Sequence, residues 1–266
     1  MKKNIITQVY EIVEQAEAAQ LAAAGVDHIG SVAFLQDKRH NQAIREMFRF
    51  LKNTGAGSSL IPLFNDEDEI FRTLDYLQPD IVHFCEFIPL NVKKADETKI
   101  VRDKLILRQM AVKEKFPGIK IMRSLPIPAA GTSGEESTAI SILELGRLFA
   151  PCSDYYLTDT ILNMDLPDAA ARQPVADFVG ITGKTCDWAI AARLVAATAV
   201  PVILAGGIGP ENVYNGIMQV CPAGVDSCTK TNLLDAEGKP VRFKKDMAKV
   251  RRLIAETKRA EIKLNQ

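Results

Sequence analysis

The segment Leu204-Ala205-Gly206-Gly207-Ile208-Gly209-Pro210-Glu211-Asn212-Val213 ends an apolar β-branched run and opens a helical pattern. Paired glycines at such a junction let the backbone approach a ligand closely, and the N–H groups at a helix start suit a phosphate. Gly206 and Gly207 are therefore candidate phosphate contacts. Gly224-Val225-Asp226-Ser227-Cys228-Thr229 follows and sets hydroxyls and further amides, at Ser227 and Cys228, beside that loop. A tight turn and a helix cap would explain each segment separately, but their succession favours a shared phosphate site. A third segment, Gly180-Ile181-Thr182-Gly183-Lys184-Thr185-Cys186-Asp187-Trp188, adds Gly180 and Gly183. It contains Gly-Lys-Thr, yet a P-loop needs four residues between its first glycine and the Gly-Lys pair and only two stand here, so a nucleoside triphosphate is not indicated. Arg123, inside the apolar run Lys120 to Leu125, must either point into a site as an anion contact or pair with a carboxylate.

The elements that would position these residues are short β-branched runs alternating with helical segments, the pattern of βαβ units on a parallel sheet. The strands expected are Asn4 to Thr7, His28 to Phe34, Ser59 to Phe64, Ile81 to Phe84, Lys120 to Leu125, Tyr155 to Thr158, Val200 to Leu204 and Gly224 to Ser227. The intervening helices are Ile12 to Ala24, Asn41 to Thr54, Glu67 to Leu77, Lys99 to Phe116, Ser137 to Phe149, Asp187 to Ala197, Glu211 to Val220 and Lys244 to Lys263. Eight parallel strands close an α/β barrel, so the expected fold is a (β/α)8 TIM barrel of one domain over residues 1–266, with a doubly wound open sheet as the alternative. In such a barrel the active site lies at the C-terminal ends of the strands. The stretch Pro126 to Glu135 is a candidate lid over that face, or a plain connection.

With 47% apolar residues, 266 residues bury a full core. Thirty-three basic residues balance thirty-three acidic ones, which argues against nucleic acid and anionic membrane as partners. Absence of a long apolar run or secretory leader, and five widely spaced cysteines without a Cys-x-x-Cys pair, lead us to expect a cytoplasmic protein without disulfides. His28, His40 and His83 are not at ligand spacing, so neither a metal nor a cofactor is expected. A homodimer is compatible with the chain.

The glycine segments also carry a resemblance. Gly180 to Trp188 resembles the G-G-T-G-x-x-F-D-W loop of the phosphoribosylanthranilate isomerase family, Ala205 to Val213 its A-G-G-L-x-P-x-N-V, and Gly224-Val225-Asp226 its G-V-D. Ala24 to Gly30 and Leu63-Phe64-Asn65 resemble segments before strand 2 and in strand 3. The resemblance implies an Amadori isomerisation of a phosphoribosylated amine in tryptophan biosynthesis, cofactor-free and dependent on a general acid and a general base. It places the acid at Asp159 and a carboxylate-gripping arginine at Arg39. The family's base is a cysteine at the end of strand 1, where this chain has Gln8, which holds no titratable acceptor. Lys230 also replaces a glycine of the last loop. The catalytic position at Gln8 therefore leaves the base to be sought among the neighbours of Gln8, Cys85 and His83, with Glu86 and Glu11 as weaker candidates. The alternatives are a related barrel acting on another phosphorylated substrate and an inactive protein that binds a phosphorylated ligand.

Overall fold

A computed structural model describes residues 4–90, 95–131, 136–162, 175–180 and 182–266. Eight parallel strands form a closed barrel in the order of the sequence. Strands and helices alternate as β1 (Ile6–Val9), α1 (Gln15–Ala24), β2 (His28–Ala33), α2 (Lys38–Leu51), β3 (Gly57–Pro62), α3 (Glu67–Leu77), β4 (Ile81–Phe84) and α4 (Ala95–Lys115). The second half continues with β5 (Lys120–Pro128), α5 (Glu136–Phe149), β6 (Tyr155–Ile161), α6 (Trp188–Ala197), β7 (Val202–Leu204), α7 (Val213–Val220) and β8 (Gly224–Ser227). A hairpin of β9 (Asn232–Leu234) and β10 (Pro240–Lys245) then precedes α8 (Met247–Leu264). No helix among the described residues is long and apolar enough to cross a membrane.

The strands are nearly continuous apolar runs because both faces are buried. Their outward residues meet the helices in one large cluster that includes Ile29, Leu60, Val82, Ile121 and Val225. Their inward residues Ile81, Met122, Leu157, Ile203 and Ala205 form a second cluster inside the barrel. The space beyond this plug is lined by apolar residues such as Val32, Ile61 and Leu63 together with a few polar ones.

Helix starts follow side-chain caps. Asp66, Asp187 and Asp246 each accept from backbone amides of the first turn of α3, α6 and α8. Asp37 does the same for α2, so that helix begins at Lys38, ahead of the expected Asn41. The expected helix from Ile12 begins only at Gln15, because Glu11 has a positive φ of 65° and the Ile12 amide is bonded to the Gly30 carbonyl.

Two differences from the expected boundaries matter for the site. β1 runs from Ile6 to Val9, not Asn4 to Thr7, which makes Tyr10 the residue leaving the strand. β5 and β6 reach Pro128 and Ile161, pairing Pro126 with Asp159. The first part of the candidate lid is therefore strand, while its residues 132–135 lie outside the described residues. The hairpin was not expected, although Asp235-Ala236-Glu237-Gly238 between apolar Leu234 and Val241 is a turn signal; there the Asp235 carboxylate accepts from the Glu237 and Lys239 amides.

Candidate active site

One pocket opens at the C-terminal ends of the barrel strands. Its non-atom space, open mouth included, is about 770 Å³, within the range that encloses a small organic ligand. Asp159 from β6 and Asp226 from β8 face it, with Tyr10, His83 and Cys85 on one side and Gly206, Gly207, Ile208, Thr229 and Lys230 on the other. Gly180, Gly183 and Cys228 complete the wall.

The glycine side is built by close approach. Gly206 has φ 85°, and a Cβ there would lie 2.2 Å from Thr160 Oγ1. Asn212 pins the loop from both sides: its Oδ1 accepts from the Gly209 amide at 2.9 Å and its Nδ2 donates to the Gly207 carbonyl at 3.0 Å. Ser227 does not face the pocket as expected. Its Oγ donates to the Ile208 carbonyl at 2.7 Å, since alternation along β8 turns Asp226 and Cys228 inward and Ser227 outward. The result is a concave strip of backbone with the Lys230 side chain at its rim, an arrangement suited to a phosphate dianion.

The opposite wall is a hydrogen-bonded chain. Tyr10 Oη lies 2.5 Å from Ser59 Oγ and 3.0 Å from His83 Nδ1. His83 Nε2 lies 2.8 Å from Ser124 Oγ, and Ser124 Oγ lies 3.2 Å from Asp159 Oδ2. Each intermediate member both gives and takes a proton, so the chain runs toward Asp159 when that carboxyl is ionised and away from it when it is protonated. Burial raises Asp159 to a pKa of about 7, against the lowering by Ser124 and the Thr160 amide. A carboxyl with that pKa is part-protonated at neutral pH and so is able to donate a proton there. Gly180 must be a glycine for this, as a Cβ on it would meet Asp159 Oδ2 at 2.6 Å.

Asp226 rests on a second chain from below. Gln8 Nε2 donates to Asp226 Oδ1 at 3.1 Å, and Gln8 Oε1 lies 3.2 Å from His28 Nδ1. Burial, with the charge of Asp159, also lifts Asp226 to about 7. Gln8 itself is fully buried inside the barrel, one layer beneath the pocket, and not at its wall.

Other expected positions are placed differently. Arg123 is not a substrate contact: it is fully buried on the outer face of β5, its Nη1 2.7 Å from Glu86 Oε2 and its Nε 2.6 Å from Gln109 Oε1. Arg108 Nη1 holds the other oxygen of Glu86 at 2.7 Å. Burial would raise the Glu86 pKa, but the two guanidinium groups outweigh it and hold the carboxyl low, which removes Glu86 as a base. Arg39 is exposed on the first turn of α2 and does not line the pocket. Cys85 and His83 do line it, yet burial pushes the Cys85 thiol up and holds the His83 imidazole down at about 3. Among the titratable wall residues, Tyr10, Asp226 and Lys230 are those to which sequence reasoning gave no role.

No family model matches the chain. N-(5′-phosphoribosyl)anthranilate isomerase 2 of Methanosarcina mazei is 32% identical over 156 residues, spanning 55% of this chain and 59% of that protein. Isomerase 1 of the same organism is 28% identical over 203 residues, spanning 76% of this chain and 71% of its own length. The chain is similar to phosphoribosylanthranilate isomerases over part of its length, and spans 59% and 71% of these two. The solved structure of N-(5′-phosphoribosyl)anthranilate isomerase from Pyrococcus furiosus has the same fold, with a TM-score of 0.66 over 96% of this chain and all of that one, at 17% identity.

The three glycine segments that resemble isomerase motifs each contribute to this pocket, through Gly180, Thr182 and Gly183, through Ala205 to Ile208 and through Asp226, and Leu63 adds to it; Ala24 to Gly30 does not line it, and Ile181 lies outside the described residues. Where the isomerase pattern has a cysteine at the end of strand 1, the wall position is taken by Tyr10 and the layer below by Gln8.

Proposed function

We propose that the chain isomerises a phosphoribosylated aromatic amine, phosphoribosylanthranilate being the first substrate to test, in the manner of the isomerases it resembles. The observation that carries this reading is the meeting, in one pocket, of a backbone cradle at Gly206 and Gly207 with the proton-holding carboxyl of Asp159. The 5′-phosphate would rest against the cradle and Lys230. Asp159 would protonate the ring oxygen of the ribose, and the C1′–O bond would break as the amine nitrogen forms a C1′=N bond. Loss of the C2′ proton then gives an enolamine, which becomes the ketone as C1′ gains a proton and the 2′-hydroxyl loses one.

The purified chain is expected to consume freshly generated phosphoribosylanthranilate, followed by loss of anthranilate-type fluorescence; no consumption above the spontaneous rate would refute the reading. Lys230→Ala is expected to raise KM about tenfold with little change in kcat, the scale of one charge-assisted contact made equally in ground and transition states. An unchanged KM would remove Lys230 from the phosphate cradle.

One observation favours a second substrate within the same class. Lys230 is the only cation on the pocket wall among the described residues, and none of those residues places an arginine there to grip a substrate carboxylate. A phosphoribosylated amine lacking the carboxylate is the natural competitor, and faster turnover of it than of phosphoribosylanthranilate would establish that preference.

A further inference from the structure

The site has an acid but lacks the cysteine base of its relatives, and its own wall narrows the replacement. The Tyr10 hydroxyl and both His83 nitrogens are taken up in the chain that ends at Asp159. Cys85 is buried and Cys228 half-buried, and loss of solvation pushes both thiols up, so neither supplies a thiolate. Glu11 is buried and engaged by Arg242, whose Nε donates to its Oε1 at 2.7 Å. Asp226 remains.

We propose that Asp226 is the general base of the site, its carboxylate removing the C2′ proton while Asp159 handles the protons on oxygen; this rests on the isomerase reading above. Hydrogen-bond chemistry distinguishes the two carboxyls. Gln8 Nε2 is donor-only, so Asp226 Oδ1 must accept, which suits a carboxylate. The amide cannot turn over freely, because its Oε1 is held near His28 Nδ1 and a neutral His28, kept at about 4 by burial, can donate to it. Ser124, the partner of Asp159, is a hydroxyl that gives or takes a proton and so tolerates both states of its carboxyl.

The surroundings of Asp226 agree. Lys245 from β10 favours its ionised form, whereas Asp159 from β6 opposes it. Tyr10 beyond β1 faces both carboxyls and stays neutral, its hydroxyl raised by burial. Two carboxyls sharing one pocket resist double ionisation, so over the neutral range the pair carries one proton. The cycle then balances. Asp159 gives its proton to the ring oxygen, and Asp226 takes the proton from C2′ as the C–H pair forms C1′=C2′ and the C1′=N pair returns to nitrogen. Asp226 delivers that proton to C1′, and Asp159 recovers one from the 2′-hydroxyl.

The test uses the full chain with phosphoribosylanthranilate. Asp226→Asn is expected to lower kcat by about 10²-fold or more, the scale of a lost general base, with KM within about threefold. Gln8→Met keeps the volume and removes the donor. That raises the proton affinity of Asp226, so the acid limb of the kcat/KM profile should move to higher pH by roughly one unit. A wild-type protein without turnover overturns the isomerase reading and the base assignment with it. An active wild type whose Asp226→Asn variant keeps more than about a third of kcat overturns the base assignment alone. If Asp226→Asn loses its cooperative melt, Gln8→Met decides: a shifted acid limb supports the assignment and an unmoved one refutes it.

Discussion

Asp159→Asn is expected to lower kcat/KM for phosphoribosylanthranilate by about 10²- to 10⁴-fold and, above neutral pH, to make the protein more stable. The first effect follows from loss of the proton donor, with Asn still accepting from Ser124. The second is linkage. Asp159 has a folded pKa of about 7, above the ordinary carboxylate value of roughly 3.9, so between these values the folded chain holds a proton that the unfolded chain has released. The contribution is complete below about pH 4 and is lost as pH rises through 7. Asparagine never ionises and removes that loss, which solvent screening of this half-buried group keeps below an upper bound on the order of 4 kcal/mol. Melting curves of wild type and variant should coincide near pH 4 and separate by pH 8.5, the variant higher. Coincidence at pH 8.5 would show that the carboxyl carries no burial penalty.

Glu86→Gln is expected to destabilise the chain by about 3–5 kcal/mol, lowering Tm by on the order of 10 °C, because it leaves two buried guanidinium groups with a neutral partner. Glu86 is 5% exposed, Arg108 is 2% and Arg123 is 0%, so water cannot take over the lost charge. The loss should reach the pocket. The Phe87 amide bonds the Asp177 carbonyl and the Val179 amide bonds the Cys85 carbonyl, so the strand exit carrying Glu86 also holds the segment leading to Gly180. Denaturant titration measures the stability, and a variant within about 1 kcal/mol of wild type would mean the pair is dispensable. Replacing all three ionic residues with apolar ones of similar volume should cost much less.

The barrel was legible because period and punctuation agree: β4 and β8 have the expected bounds, and aspartate caps fix several helix starts. Gly206 and Gly207 were legible because the close approach they permit is written into their type. The errors lie where a residue's direction decides its role. A two-residue shift of β1 exchanges Gln8 for Tyr10 at the rim, and sequence carries no ruler for a four-residue strand. Arg123 on an apolar strand was ambiguous between mouth and outer face until Glu86, Arg108 and Gln109 were placed around it. The Asp226 role was hidden behind a motif, since nothing local says that a glutamine on β1 will meet it from beneath.

Closure of the barrel also sets an order of assembly. β1 pairs with β8, the Ile5 amide donates to the Glu261 carboxylate 256 positions away, and the hairpin returns Arg242 to Glu11. During synthesis from the N-terminus, β1 therefore leaves the ribosome with one edge open and keeps it open until β8 has been made. Contacts this distant in sequence slow folding, and the nascent chain must keep that edge from other strands in the meantime. The helix that follows the hairpin is the one that anchors the first strand.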